Sequence, residues 1–239
     1  NVRINDVSDD ELTLQLQEPN YLDGNHITET VNYLVVESGT WVLPDGTLLE
    51  AGSLNSGKLS PKGFESVLFD AEFDATPVIL SQVQTRNGAD FIATRQNNAD
   101  ADGFQLTMQE EESNNGGFHA PETLGWIALN AGSGTAGDVS WLSGTASGVT
   151  DSNSTVTIGA SIAGGANAIA ALSGFADGDP AWARGDGSTS TAFDVSVEED
   201  ASFDAETNHI PETVDYFVFD EAGTMSTTPL IDIAETGTV

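Results

Sequence analysis

The sequence predicts an all-β fold of tandem antiparallel six-stranded β-sandwich modules, and three observations carry that prediction. Apolar residues alternate with polar ones through most of the chain, whereas helical periodicity is almost absent. Segments rich in Gly, Asn and Asp separate the alternating runs, as turns require. The pattern His-x-x-Glu-Thr-[Val/Leu]-x-[Tyr/Trp] recurs at His26, His119 and His209, which are the chain's only three histidines and stand 93 and 90 residues apart. A fixed period of that size, marked by one aligned motif per copy, signifies tandem modules of about 90 residues, large enough for a small sandwich to bury a core.

The elements follow in order. Leu12, Leu14 and Leu16 alternate with polar neighbours, as do Phe104, Leu106 and Met108, and again Phe193, Val195 and Val197; each run ends in Glu. After each His-x-x-Glu comes a second strand, carrying Val31, Tyr33 and Val35, then Leu124, Trp126 and Ala128, then Val214, Tyr216 and Val218 on one face. In the middle copy, residues 42–54 read as an opening strand pair around Pro44-Asp45-Gly46. Residues 64–73 carry Phe64, Val67, Phe69 and Phe73, and residues 77–84 form a buried strand before a turn at Asn87-Gly88. Residues 90–96 and 103–110 form a hairpin. The third copy repeats this plan over 154–162, 166–172, 180–184 and 192–199, with an Ala/Gly-rich run at 160–171 kept as strand because alternation persists. The domain organisation expected is 1–37 as the second half of a module, truncated or completed by a neighbour; 38–130 and 131–220 as complete modules; and 221–239 as an opening strand or donated tail. Each closing strand runs almost directly into the next opening strand, so consecutive modules should be rigidly coupled, as in an extended array.

Composition narrows the partners. Six Lys and Arg against 38 Asp and Glu give a net charge of −32. Such a chain repels nucleic acid and anionic membrane surfaces and attracts cations, in the manner of proteins from high-salt habitats or calcium-rich secreted repeats. Its 38% hydrophobic residues, four Trp and eleven Phe argue against disorder. There are no cysteines to form disulfides, and the longest apolar runs fall well short of a membrane span. An extracellular or cell-surface location is expected, without membrane insertion.

A family resemblance rests on Ser38-Gly39-Thr40-Trp41, Phe69, Phe73, Pro77-Val78, Arg95, Gly103-Phe104 and Gly125-Trp126-Ile127-Ala128. In that order these residues resemble the H-type lectin domain, a six-stranded antiparallel sandwich of snail agglutinins and slime-mould discoidins that is often trimeric and binds N-acetylgalactosamine-type sugars. The likeness covers the middle module well, the third weakly and the first only in its second half. It implies glycans as partners and a homo-oligomer or polymer as the assembled state.

One constellation could carry chemistry. Arg3, Arg95 and Arg184 precede Glu18, Glu110 and Glu199 by 15 residues each, and Asp90 and Asp179 precede their arginines by five. The hairpin brings Asp90, Glu110, His119 and Glu122 to one end of the sandwich, with Asp179, Glu199, His209 and Glu212 as the third-copy set and Glu18, His26 and Glu29 as the first. Carboxylates so close repel unless protonated or bridged, which makes a hard cation such as calcium a natural partner. The alternative is scaffold: His119 bonding to a backbone carbonyl, Glu122 capping a turn and Arg95 pairing with an acid across its own sheet. Trp126, Tyr33 and Tyr216 share one repeat position and read as core. Trp182, with Arg184 beside it, is the better candidate for stacking on a sugar. Nothing resembles a catalytic nucleophile, so a non-enzymatic protein is expected. Two functions compete: a glycan-binding, adhesin-like module, with or without calcium, and a structural subunit of an extracellular filament, surface layer or viral fibre.

Overall fold

The computed structural model describes residues 1–8, 10–158, 162 and 166–229. The expected strands over 154–162 and 160–171 and the tail 221–239 therefore lie partly outside the described residues.

The chain is all-β, with strands in antiparallel sheets and one short 3-10 turn at Ser60–Lys62. An opening hairpin pairs β1 (Val2–Val7) with β2 (Leu12–Leu16). Next come β3 (Gly39–Val42), β4 (Leu48–Lys58), β5 (Glu65–Leu68), β6 (Val78–Val83), β7 (Ile92–Asn97), β8 (Gly103–Glu110) and β9 (Phe118–Leu129). They form a sheet ordered β3-β4-β9-β6 and a facing sheet ordered β5-β8-β7. The same plan returns in β10 (Gly132–Ala136), β11 (Val139–Val149), β12 (Ser154–Thr157), β13 (Asn167–Leu172), β14 (Ala181–Ser188), β15 (Ala192–Glu199) and β16 (Glu212–Phe219), whose sheets run β10-β11-β16-β13 and β12-β15-β14. Among the described residues each sheet pair holds seven strands where six were expected, the short opening strand folding back as a hairpin on the second. The β3–β4 turn is the one expected at Pro44-Asp45-Gly46: the Gly46 amide donates to the Leu43 carbonyl, with Gly46 at φ +90°. A two-residue strand, β17 (Thr228–Pro229), adds to the free edge of β3.

Alternation decides which side chains face where. In β9, Leu124, Trp126 and Ala128 point into the first sandwich, against Phe73, Phe104, Leu106 and Met108, with Phe69 stacked among the rings. In β16, Val214 and Val218 enter a core of smaller residues with Leu172, Phe193, Val195 and Val197, and Tyr216 packs against it.

The opposite faces of β9 and β16 are apolar as well, and here the structure departs from an extended array. Counted from the histidine motif, Leu34, Ile127 and Phe217 hold one repeat position, and Val36, Leu129 and Phe219 another. All six belong to a single cluster with Val78, Leu80, Trp141 and neighbours. The three copies thus meet about a common centre. Their loops agree: the Asn20 amide donates to Glu111 Oε1, the Glu112 amide to Asp200 Oδ1 at 2.9 Å, and the Ala201 amide to Tyr21 Oη at 3.4 Å. Asn20, Glu112 and Ala201 each stand two residues past one of the aligned glutamates, Glu18, Glu110 and Glu199. The first copy therefore touches both of the others.

The expected strand at 31–36 is the clearest difference. It lies extended beside β13, with Asn32 Nδ2 donating to the Ala168 carbonyl, but it belongs to no sheet. Strand-favouring residues alone do not make a strand; β9 has β4 and β6 on either side, whereas no strand among the described residues pairs with 31–36.

Candidate functional site: an arginine-glutamate-histidine-glutamate joint

The rim residues come together, but across copies. Arg3 crosses from the first hairpin to Glu122 of the second copy, Nη2 to Oε1 at 3.0 Å, with both side chains buried. Glu122 also accepts from the Thr85 hydroxyl at 2.5 Å and from the Asn87 and Gly88 amides at 2.9 and 3.0 Å, so it does cap the turn that the sequence places there. His119 bridges the two carboxylates, Nδ1 to Glu110 Oε1 at 2.5 Å and Nε2 to Glu122 Oε1 at 3.2 Å. Gly88 gives the imidazole its space: a Cβ there would lie 2.2 Å from His119 Nε2.

The second joint repeats the arginine, histidine and glutamate contacts of the first, with the Ala176 amide alone holding Glu212 from the turn. Arg95 crosses to Glu212 of the third copy at 2.5 Å, fully buried. His209 bridges Glu199 at 2.7 Å and Glu212 at 3.2 Å. Gln17 donates to the Ala89 carbonyl, and its counterpart Gln109 to that of Gly178. Arg3 reaches the Thr85 carbonyl at 2.9 Å, and Arg95 that of Gly174 at 3.3 Å. The Arg95 guanidinium also lies 4.9 Å from the centre of the Phe175 ring.

Two corrections to the scaffold reading follow. Arg95 pairs with an acid of the following copy, not across its own sheet. His119 bonds to two carboxylates, not to a backbone carbonyl. A sequence pattern registers neighbours, whereas Arg3 and Glu122 stand 119 residues apart. The glutamines, Thr85 and Gly88 were also missed; of these only the glutamines carry a signal, Gln17 and Gln109 each standing directly before an aligned glutamate.

Each joint is balanced in charge. An imidazole with a carboxylate on either ring nitrogen satisfies both only when doubly protonated, so Arg⁺ and HisH⁺ face two Glu⁻. Burial opposes charging of His119, but its bonds to Glu110 and Glu122 outweigh this and lift its pKa; His209 is lifted likewise by Glu212 and Glu199. Burial also works against the charge on Glu122, yet Thr85, Gly88, Asn87 and Arg3 hold it below the ordinary carboxylate value. His209, Arg95 and Ala176 do the same for Glu212. Glu199 moves the other way, because burial outweighs its bond to His209.

The third arginine differs. Arg184 is half exposed and pairs with Glu198 of its own hairpin at 2.9 Å. Of the first-copy set, Glu18 accepts from the Gly24 amide, His26 Nδ1 donates to the Ile27 carbonyl, and Glu29 is exposed, so these three are not brought together. Trp182 is 7% exposed, packs on Phe91 and donates to Glu198, so protein covers the faces a sugar would need. Among the described residues, Asp90, Glu110 and His119 place ligand atoms within 4.8 Å of one another.

No family model and no solved structure matches the chain. The chain is 30% identical over 220 residues to halomucin of Haloquadratum walsbyi, a match that covers 91% of this chain and 2% of that protein. The chain thus spans a small fraction of the relative's length. The similarity agrees with an extracellular or cell-surface location, as expected from the acidic composition. No helix among the described residues is long and apolar enough to cross a membrane.

Proposed function

We propose that this chain is a set of non-catalytic structural repeats of an extracellular surface protein, and that the histidine motif is the joint between consecutive repeats. The observation behind this reading is that Arg3 and Arg95 each leave their own copy and end, buried, on the motif glutamate of the next. The H-type-lectin-like sandwich supplies the framework in this proposal. Adhesion to glycans is the weaker use of it, since Trp182 is covered and the arginines at 3 and 95 are committed to protein. The test is the unfolding of Arg95→Ala. A joint predicts that the parent unfolds in one transition and that the variant splits into two, with the hairpin β14-β15 exchanging its amides before β7-β8. A single unshifted transition overturns the reading.

A second reading rests on the approach of Asp90, Glu110 and His119. Calcium taken up there would stabilise the folded state by RT ln(1 + [L]/Kd), about 2.7 kcal/mol at a hundredfold excess over Kd. Thermal unfolding with calcium and then with chelator, at fixed high salt, reads this directly; the joint alone predicts no calcium-specific shift.

A further inference from the structure

A groove of 770 Å³ opens in front of the first hairpin, and its walls are the unfinished half of a sandwich. One wall is the β1-β2 face with Ile4, Leu14 and Leu16; another is the extended segment with Val31, Tyr33 and Val35. At the repeat positions of Tyr33 and Val35 the second copy has Trp126 and Ala128, both buried, yet Tyr33 is 64% and Val35 63% exposed. In the other two copies these positions are covered by β5 and β6 on either side of the core, or by β12 and β13.

The polar groups of the groove tell the same story. His26, Glu29, Arg184 and Glu198 all line it. These are the histidine and glutamate of one motif and the arginine of another, in the cyclic order already followed by Arg3 to Glu122 and Arg95 to Glu212. In the formed joints the motif glutamate is also held from the turn between β6 and β7, by Thr85, Asn87 and Gly88, or from the turn between β13 and β14, by Ala176. Among the described residues no such turn lies beside the first motif: Glu29 and His26 are exposed.

The geometry points to a segment of this same repeat, with the residue pattern of 38–92, as the occupant of the groove: its strands complete the first sandwich, and its last turn seats Glu29 so that Arg184 closes a third joint. This rests on reading the formed networks as joints between repeats. Complementarity selects the occupant, because the open face repeats the inward positions of β8 and β9, which β4, β5 and β6 cover in the second copy.

The register permits a direct test. Asn1 aligns with Ala93, so a second copy of residues 38–92 placed directly ahead of Asn1 continues the repeat without a gap. Hydrogen exchange of residues 29–36 should be fast in the parent chain and slow at least about a hundredfold in the extended one. Arg184→Ala, neutral in the parent, should then restore fast exchange at 29–36. The same segment with its apolar residues permuted gives no protection and controls for mere chain extension. If 29–36 stay unprotected in the extended chain while Arg95→Ala still splits the parent's unfolding, the joint stands and this occupant is wrong. Concentration-dependent protection of 29–36 in the unextended parent would instead place a second copy in the groove and overturn the proposal. If Arg184→Ala leaves a protected 29–36 unchanged, the third joint is wrong.

Discussion

Arg95 and Arg184 occupy the same repeat position on equivalent hairpins, yet one is sealed between two copies and the other lies half in solvent. Each faces the side chain 14 residues on, Gln109 or Glu198, at 2.8 and 2.9 Å. What separates them is the neighbour beyond: Arg95 finds a motif glutamate already fixed by His209 and the Ala176 amide, whereas the glutamate of the motif next to Arg184 is exposed. An arginine's role here is decided by whether its receiver is preorganised, not by its own strand.

The largest effect should come from breaking the closed side of this comparison. Arg95→Ala leaves Glu212 buried with one of its two cations gone, and urea unfolding should show a loss of about 3–5 kcal/mol, the range for one partner removed from a buried pair. A loss under about 1 kcal/mol would erase the distinction between the two arginines. Gly88→Ala should cost about 1–3 kcal/mol, because the new methyl overlaps the His119 ring, while Gly116→Ala, whose Cβ meets nothing within 4 Å, should be close to neutral. Similar losses for both would mean that His119 is free to move aside.

pH sharpens the comparison further. His119 and His209 have raised pKa values, so their contribution is complete below the unfolded value of 6.5 and is lost as pH climbs through the folded one; Glu199, also raised, acts in the same sense. Glu122 and Glu212 are lowered, so theirs is present above 4.5 and is lost as pH falls through the folded values. Stability should therefore peak between about pH 4.5 and 6.5 and decline above it. Replacing His209 by Gln should flatten the alkaline decline in a series of melting curves. The smallest effect belongs to Arg184→Ala, an exposed pair expected to contribute about 0–1 kcal/mol and to vanish within error in molar salt.

Much of the architecture was legible because it is local. The alternation at 103–110 and 192–199 marks β8 and β15, and Pro44-Asp45-Gly46 marks the first turn. The recurrence of Arg and Glu at a spacing of 15 marks the residues of the joint. What was not legible depends on which copy faces which. Nothing near Arg95 in the chain says that it ends on Glu212, whereas the half-module expected at 1–37 already leaves Val31–Val35 short of partner strands. Trp182 shows the same limit: beside Asp179 and Arg184 it reads as an accessible platform, but Phe91 of the preceding copy covers it.

The distribution of cations has one more consequence. Three of the chain's six basic residues are the aligned arginines, and two of those are withdrawn from solvent. In concentrated brine the screening length shrinks to about 3 Å, so the mutual repulsion of the surface carboxylates is muted, while a pair shut inside protein scarcely feels the dissolved ions. Dilution should therefore act unequally: low ionic strength would restore the outward push of the exposed carboxylates against contacts whose strength had hardly changed. The molecule is held from within and strained from without, so low ionic strength, more than high, is the condition that tests these buried pairs.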